Sequence, residues 1–319
     1  MRKKQTISKR TIEFGSFTVF LLTALLFLLL TFTTKNFLSG SNIYSILFDV
    51  SIQFFLCIGF TFLIIMGELD MSVGAMYGFS GALVGYLTVV RKLSFVPAML
   101  LVLAVCMVMG FLVGVIVVRL QLNSMMVTIG MMTILQGLKS IMIDKISTRT
   151  FDAAYRNFIK TRIMGIHWSI LAALALILVL EILLHKSYAL KQCYFVGQRL
   201  ETAKLYGIKA EKIKITAFLI SAGTAAFGGI MSGSRLAHAA TTAGDGMEFT
   251  AVTAAILGGA SLFGGKGSIL KTFMGLIFLA LLSNGLISFG IDPYIQQIIN
   301  GAILIAAVLL DIFLNKKRG

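Results

Sequence analysis

Charge is what this sequence has least of. Only 13% of its 319 residues are Asp, Glu, Lys or Arg, 58% are hydrophobic, and the mean hydropathy is +0.94. A soluble domain carries roughly 25% charged residues, because charge is what covers its surface. The shortage excludes an exterior that meets mainly water, so the chain reads as a polytopic membrane protein. Cysteine and histidine are scarce as well. Cys57, Cys106 and Cys193 stand alone, which excludes a disulfide framework. His167, His185 and His238 lie far apart with no carboxylate or cysteine at ligand spacing, so no metal site is indicated. The run "GGASLFGGKGS" (Gly258 to Ser268) is no phosphate loop, because Ala260 stands where the first glycine of that motif belongs. No catalytic residue set emerges, and the chain is not expected to be an enzyme.

What the sequence has in abundance is long apolar runs. About 20 residues of helix cross the ~30 Å of bilayer hydrocarbon. Runs of that kind fall at about 15–34, 46–66, 72–90, 94–118, 123–143, 166–185, 213–233, 247–262, 269–289 and 294–314. They are continuous rather than alternating, which favours helices over a β-barrel. The expected fold is therefore an all-α polytopic membrane protein of about ten transmembrane helices in one domain, residues 1–319. The eighth run is short and glycine-rich, and a broken or re-entrant helix is expected there.

The small charged fraction is strongly basic, with a formal net charge of +15. Cytoplasmic loops facing anionic lipid explain this without nucleic acid. Arg2, Lys3, Lys4, Lys9 and Arg10 precede the first run and hold residues 1–14 in the cytoplasm; it is retained rather than cleaved as a signal peptide. Ten crossings then return the tail 315–319 to the same side, so both termini are expected to be cytoplasmic. Segment 186–212 is also internal, and Lys186, Lys191, Arg199, Lys204, Lys209 and Lys212 lie in it. Loop 144–165, placed outside, is basic as well, with Lys145, Arg149, Arg156, Lys160 and Arg162.

Three features carry more than membrane solubility. Between the second and third runs lies "GELDMSVG", residues 67–74, with Glu68 and Asp70. Acids there either sit in a short turn, with Asp70 or Ser72 capping the next helix, or line a cavity beside a helix break. Four glycine pairs at i, i+4 (Gly74–Gly78, Gly81–Gly85, Gly110–Gly114 and Gly229–Gly233) predict close helix packing or a dimer seam. Finally, residues 198–206 of "VGQRLETAKLYGIKAEKIKI" suit a short amphipathic helix stopped by Gly207. Such a helix fits either a soluble docking partner or anionic headgroups.

In order and spacing these segments resemble the permease subunit of ribose-type (monosaccharide) ABC importers, from about residue 37 to 313. The family's first motif commonly reads GGIDLSVG, against "GELDMSVG" here, so Glu68 replaces its second glycine. The stretch from Gly244 to Asp311 follows the family's C-terminal half. "VGQRLETAKLYGI" resembles the segment that docks on the ATPase, with Thr202-Ala203 in place of the usual two alanines. "NSMMVTIG" departs from a family segment that often carries Pro and Phe.

The resemblance implies a multi-pass cell-membrane permease for a monosaccharide, without a cofactor of its own. Its expected partners are an ABC ATPase subunit that binds ATP, an extracellular or periplasmic sugar-binding protein, a second permease copy (homodimer or heterodimer) and the lipid bilayer. Glu201, Ala203, Lys204, Gly207 and Ile208 would couple to the ATPase. Asp70, Ser72, Gly74, Asn123, Gly258, Gly259 and Gly264 would shape helix breaks along the translocation path. Another small polar solute (an autoinducer-2-like furanose, a nucleoside or an amino acid) is the alternative cargo. An ion-driven transporter is the rival mechanism, but Asp49, Glu68 and Glu181 form no obvious relay.

Overall fold

The computed structural model describes residues 2–146 and 150–316, with side chains described from 18 to 313. The chain is almost entirely helical. In order it forms α1 (Arg2–Thr33), α2 (Gly40–Ile65), α3 (Val73–Val89), α4 (Phe95–Arg119), α5 (Ser124–Ile146) and the short α6 (Ala153–Phe158). A two-stranded hairpin of β1 (Arg162–Ile163) and β2 (Ile166–His167) follows, turning through Met164 and Gly165 at positive φ. Then come α7 (Trp168–Lys186), α8 (Tyr188–Gln198), α9 (Leu200–Leu205), α10 (Ala210–Leu236), α11 (Met247–Leu257), α12 (Ile269–Ser288) and α13 (Pro293–Lys316).

Seven of these helices are long and apolar enough to cross a membrane, and three shorter apolar stretches lie in α1, α3 and α11. Together they coincide with the ten runs read from the sequence. Two boundaries shift. The eighth run ends as a helix at Leu257, and 258–268 is a chain of turns rather than helix, because five glycines between 258 and 267 favour non-helical backbone. Segment 186–212 carries α9 inside the short helix expected over 198–206, and a further helix, α8, before it. Residues 2–14 continue the first span as one helix, and 317–319 of the expected tail lie outside the described residues.

The core is built where α10 passes α2, α3 and α4. The most apolar window of α2 is 83% buried, whereas that of α13 is 6% buried. Exposed faces of α4 (Leu100, Val108, Phe111) and α7 (Leu174, Leu178, Ile182) are apolar throughout, as a lipid boundary requires. All four glycine pairs are spent inside the chain. A Cβ on Gly81 would meet the Gly229 carbonyl, and one on Gly229 would meet the Tyr77 carbonyl, so α3 and α10 cross backbone to backbone. Gly110 and Gly114 play the same part for α4, against Phe218 and Ile215 of α10. Gly74 and Gly78 admit the segment around Ala243 and Gly244. The packing outcome holds, and none of the pairs is left for a dimer seam.

The two ends of the bundle differ. α9 lies at the end where α2 finishes and α10 begins. At the opposite end, Phe151 donates its N–H to the Ala237 carbonyl at 3.0 Å, and Tyr155 is wholly buried beneath α6 with its hydroxyl on the Gly81 carbonyl at 3.2 Å. Residues 150–167 therefore cap the face opposite α9. There Phe48 stacks on His167 at 4.1 Å, Tyr44 bonds His167 Nδ1 at 2.6 Å, and Asp49 pairs with Arg235.

Candidate functional site

The segment 66–72 ends one helix and starts another without exposing its backbone. Gly67 adopts φ +74°, which lets its N–H reach the Ile64 carbonyl and that of Glu68 reach the Leu63 carbonyl, a left-handed helix stop. Beyond it the chain runs along α5. Leu69 donates its N–H to Ser124 Oγ at 3.2 Å and Met71 donates to Thr128 Oγ1 at 3.0 Å. Asp70, 3% exposed, accepts from the Ser72 N–H at 2.9 Å and the Ser72 hydroxyl at 2.5 Å. That is a turn closed by a carboxylate, and it places Ser72 as the first residue before α3. Asp70 forms the expected local turn, but the expected side-chain cap is not made, since Ser72 precedes α3 with no side-chain hydrogen bond to it. Glu68 does something else: its Oε1 lies 2.5 Å from Lys214 Nζ on α10, with both side chains under 20% exposed.

The expected pathway residues separate into two places. Asp70, Ser72 and Gly74 sit at the start of α3, where Gly74 packs against Gly244 and Glu248. Asn123 caps α5, accepting from the Met125 N–H at 2.9 Å. Gly258, Gly259 and Gly264 lie in the turns 258–268, where Gly264 meets Gly67 at the end of α2. Gly258 stops α11 against the backbone of Lys271, Gly259 takes φ +82°, and Gly264 takes φ +77° against Gly67 and Gly197.

Around Gly264 the elements of the α9 end meet through glycine. A Cβ on Gly197 of α8 would strike the Ile65 carbonyl that ends α2, and Gly265 donates its N–H to that same carbonyl at 2.7 Å. Tyr194 of α8 reaches the Gly267 carbonyl at 2.9 Å, and Glu181 of α7 accepts from Ser268 Oγ and the Leu270 N–H at the start of α12. α8 and its continuation α9 are thus keyed into the ends of α2, α7 and α12. From this base α9 projects. Leu205 and Tyr206 are 87% and 81% exposed, Gly207 reverses the chain at φ +75°, and Ile208 returns its N–H to the Ala203 carbonyl. Glu201 and Lys204 face outward, whereas Ala203 is buried at 2% and seats the helix. Leu205 and Tyr206 are not among the residues singled out from the sequence; two large apolar residues on a charged helix were the available signal for their exposure.

A second polar cluster lies within the bundle. Lys139 of α5, almost fully buried, donates to the Ala243 carbonyl at 2.9 Å and to Asp245 Oδ1 at 2.7 Å. Glu248, also buried, lies in the first turn of α11 beside them. This cluster pins the non-helical stretch 237–246 to α5 and α3 and offsets the charge of a lysine inside an apolar helix. Sequence reasoning overlooked it, although a lone Lys inside the run ending at 143 was the sign to follow.

Comparison with known proteins then places the chain. Residues 42–308 match the family described as "Branched-chain amino acid transport system / permease component". The chain belongs to this permease family. The permease is 31% identical to the "Ribose import permease protein RbsC" of Escherichia coli (strain K12), over 93% of each chain. It is 30% identical to the protein of the same name from Bacillus subtilis (strain 168), over 90% of this chain and 89% of that one. It is 28% identical to the "D-allose transport system permease protein AlsC" of Escherichia coli (strain K12), over 98% of each. No solved structure matches the permease. It is a multi-pass membrane transport component and not an enzyme.

Proposed function

We propose that the permease carries a monosaccharide of the ribose type into the cell, driven by a separate ATPase subunit and supplied by a sugar-binding protein. On this reading the α9 face is cytoplasmic, both chain ends lie on that side, and the cap 150–167 faces outward to receive the binding protein. Two copies, or two related chains, enclose the path. The names of its relatives support a sugar cargo, and the Asp70-x-Ser72-Val73-Gly74 pattern agrees with the sugar branch. The observation that carries the mechanism is α9: a short helix seated by Ala203 in the bundle, with Leu205 and Tyr206 presented to solvent among basic residues. Such a knob suits a groove on a soluble subunit.

Ion-driven transport is disfavoured by the same structure. Asp49, Glu68 and Glu181 are each satisfied separately, by Arg235, by Lys214 and by the start of α12. Among the described residues no ion pair or hydrogen bond links one of these acids to another.

Leu205→Asp combined with Tyr206→Ser alters only exposed atoms. In proteoliposomes holding permease, ATPase and binding protein, with D-ribose as the probe, uptake should fall by about tenfold or more, as loss of a central apolar contact does at interfaces. ATP hydrolysis by the ATPase should persist, and Ala203→Trp, which unseats α9, should act in the same direction. Uptake at the unaltered rate in both variants would reject α9 as the docking element.

A further inference from the structure

We propose that the ion pair of Glu68 and Lys214 is a strut that passes displacement of the ATPase-docking segment to the start of α3. The proposal rests on the docking role given to α9 above and adds two positioning residues to it.

The geometry sets the two ends of the strut on different mechanical elements. Lys214 stands in the first turns of α10, the helix that α9 enters through Gly207 and the cap at Lys209. Glu68 stands just past the Gly67 stop of α2, its backbone N–H held by the Leu63 carbonyl at 3.0 Å, so its α-carbon has little freedom. Beyond Glu68 only residues 69–72 remain before α3 begins. That stretch is hydrogen-bonded to α5 at Leu69 and Met71 and closed by the Asp70 turn, with Ser72 already in helical backbone. A pull on Glu68 therefore reaches Val73 through a segment without slack.

The pair is also placed to act. Its Nζ to Oε1 distance is 2.5 Å, and the side chains are 16% and 13% exposed. Exposed ion pairs are screened by salt and contribute little, whereas a largely enclosed pair is screened much less. Removing one partner leaves the other charge enclosed without its counter-ion, which is the costly case. α8 reaches α2 by a different route, the backbone contact of Gly197 with Ile65. The docking segment is thus tied to the α2–α3 junction at both of its ends, once through backbone and once through charge. The second tie can be cut by removing a charge, without forcing the backbones apart as a side chain at Gly197 would.

The test uses Glu68→Gln, Lys214→Met and the exchanged pair Glu68→Lys with Lys214→Glu. All are measured in the proteoliposome system above for solute moved per ATP hydrolysed, together with the thermal midpoint of the purified permease. Each single variant should lower solute per ATP by about three- to tenfold, the range in which residues between coupled sites act. The exchanged pair should return to within about twofold of the original ratio, because the attraction is restored with its sign reversed. Singles that keep the original ratio would overturn the strut. So would singles that lower the thermal midpoint and total uptake together at an unchanged ratio, since that marks a brace. An exchanged pair as stable as the original but still uncoupled would overturn it as well. If the Leu205 and Tyr206 variant transports normally, the docking reading itself fails. If that variant uncouples while Glu68→Gln does not, the strut alone fails.

Discussion

Asp245→Ala is expected to destabilise the permease more than Lys139→Met, although the two residues share one ion pair. The reason is their unequal burial. The Lys139 side chain is 3% exposed and that of Asp245 is 48% exposed. Loss of Asp245 takes away the one carboxylate that Lys139 bonds directly, leaving the enclosed charge with the Ala243 carbonyl and the nearby Glu248. Loss of Lys139 leaves a carboxylate that is half in contact with its surroundings. Breaking a buried pair from the side that leaves the enclosed charge costs about 3–5 kcal/mol, while replacing both partners by apolar or neutral groups is often close to neutral. The double variant Lys139→Met with Asp245→Ala should therefore recover most of the stability lost in Asp245→Ala. Thermal midpoints in detergent, with the yield of monodisperse protein, decide the order. Equal losses in the two single variants, or no recovery in the double, would show that the pair does not set the position of 237–246.

Gly229→Ala should be nearly as damaging, and for a purely steric reason. The added methyl would lie against the Tyr77 carbonyl and Ser80 Oγ, where α10 crosses α3. A carbonyl of a helix cannot rotate out of the way, so the helices must separate. Overpacking of this kind costs about 1–3 kcal/mol and sometimes more. It overrides the gain of up to about 1 kcal/mol that alanine brings to a helix interior. Gly130→Ala and Gly137→Ala on α5 are the matched controls, since a methyl at either meets nothing within 4 Å. They should fold as well as the parent or slightly better. Gly229→Ala with an unchanged thermal midpoint would mean that α3 and α10 approach less closely than described.

Much of this architecture was legible because apolar run length is a strong signal. Ten runs became ten apolar stretches of helix, and the expected weakness of the eighth became the early end of α11. The glycine pairs likewise foretold close packing, since small residues have one dominant use between membrane helices. What stayed hidden depends on partners remote in sequence. Nothing near Asp70 indicates that Ser124 and Thr128 would satisfy the backbone on either side of it. Glu68 gave no hint of Lys214, and Gly264 gave none of Gly197 and Gly67 packed against it. The burial of Ala203 was not legible because a six-residue helix is too short for periodicity to tell its inner face from its outer one.

The hydroxyls of Ser124 and Thr128 have one further consequence. Sliding or turning α5 past the 66–72 segment would release the amides of Leu69 and Met71 into apolar surroundings, at about 1–3 kcal/mol for each unsatisfied group. The Lys139 pair would part in the same motion. α3, α5 and the stretch 237–246 are therefore held to one another by the Leu69 and Met71 amides and by the Lys139 pair, so that parting any two of them breaks contacts that tie in the third.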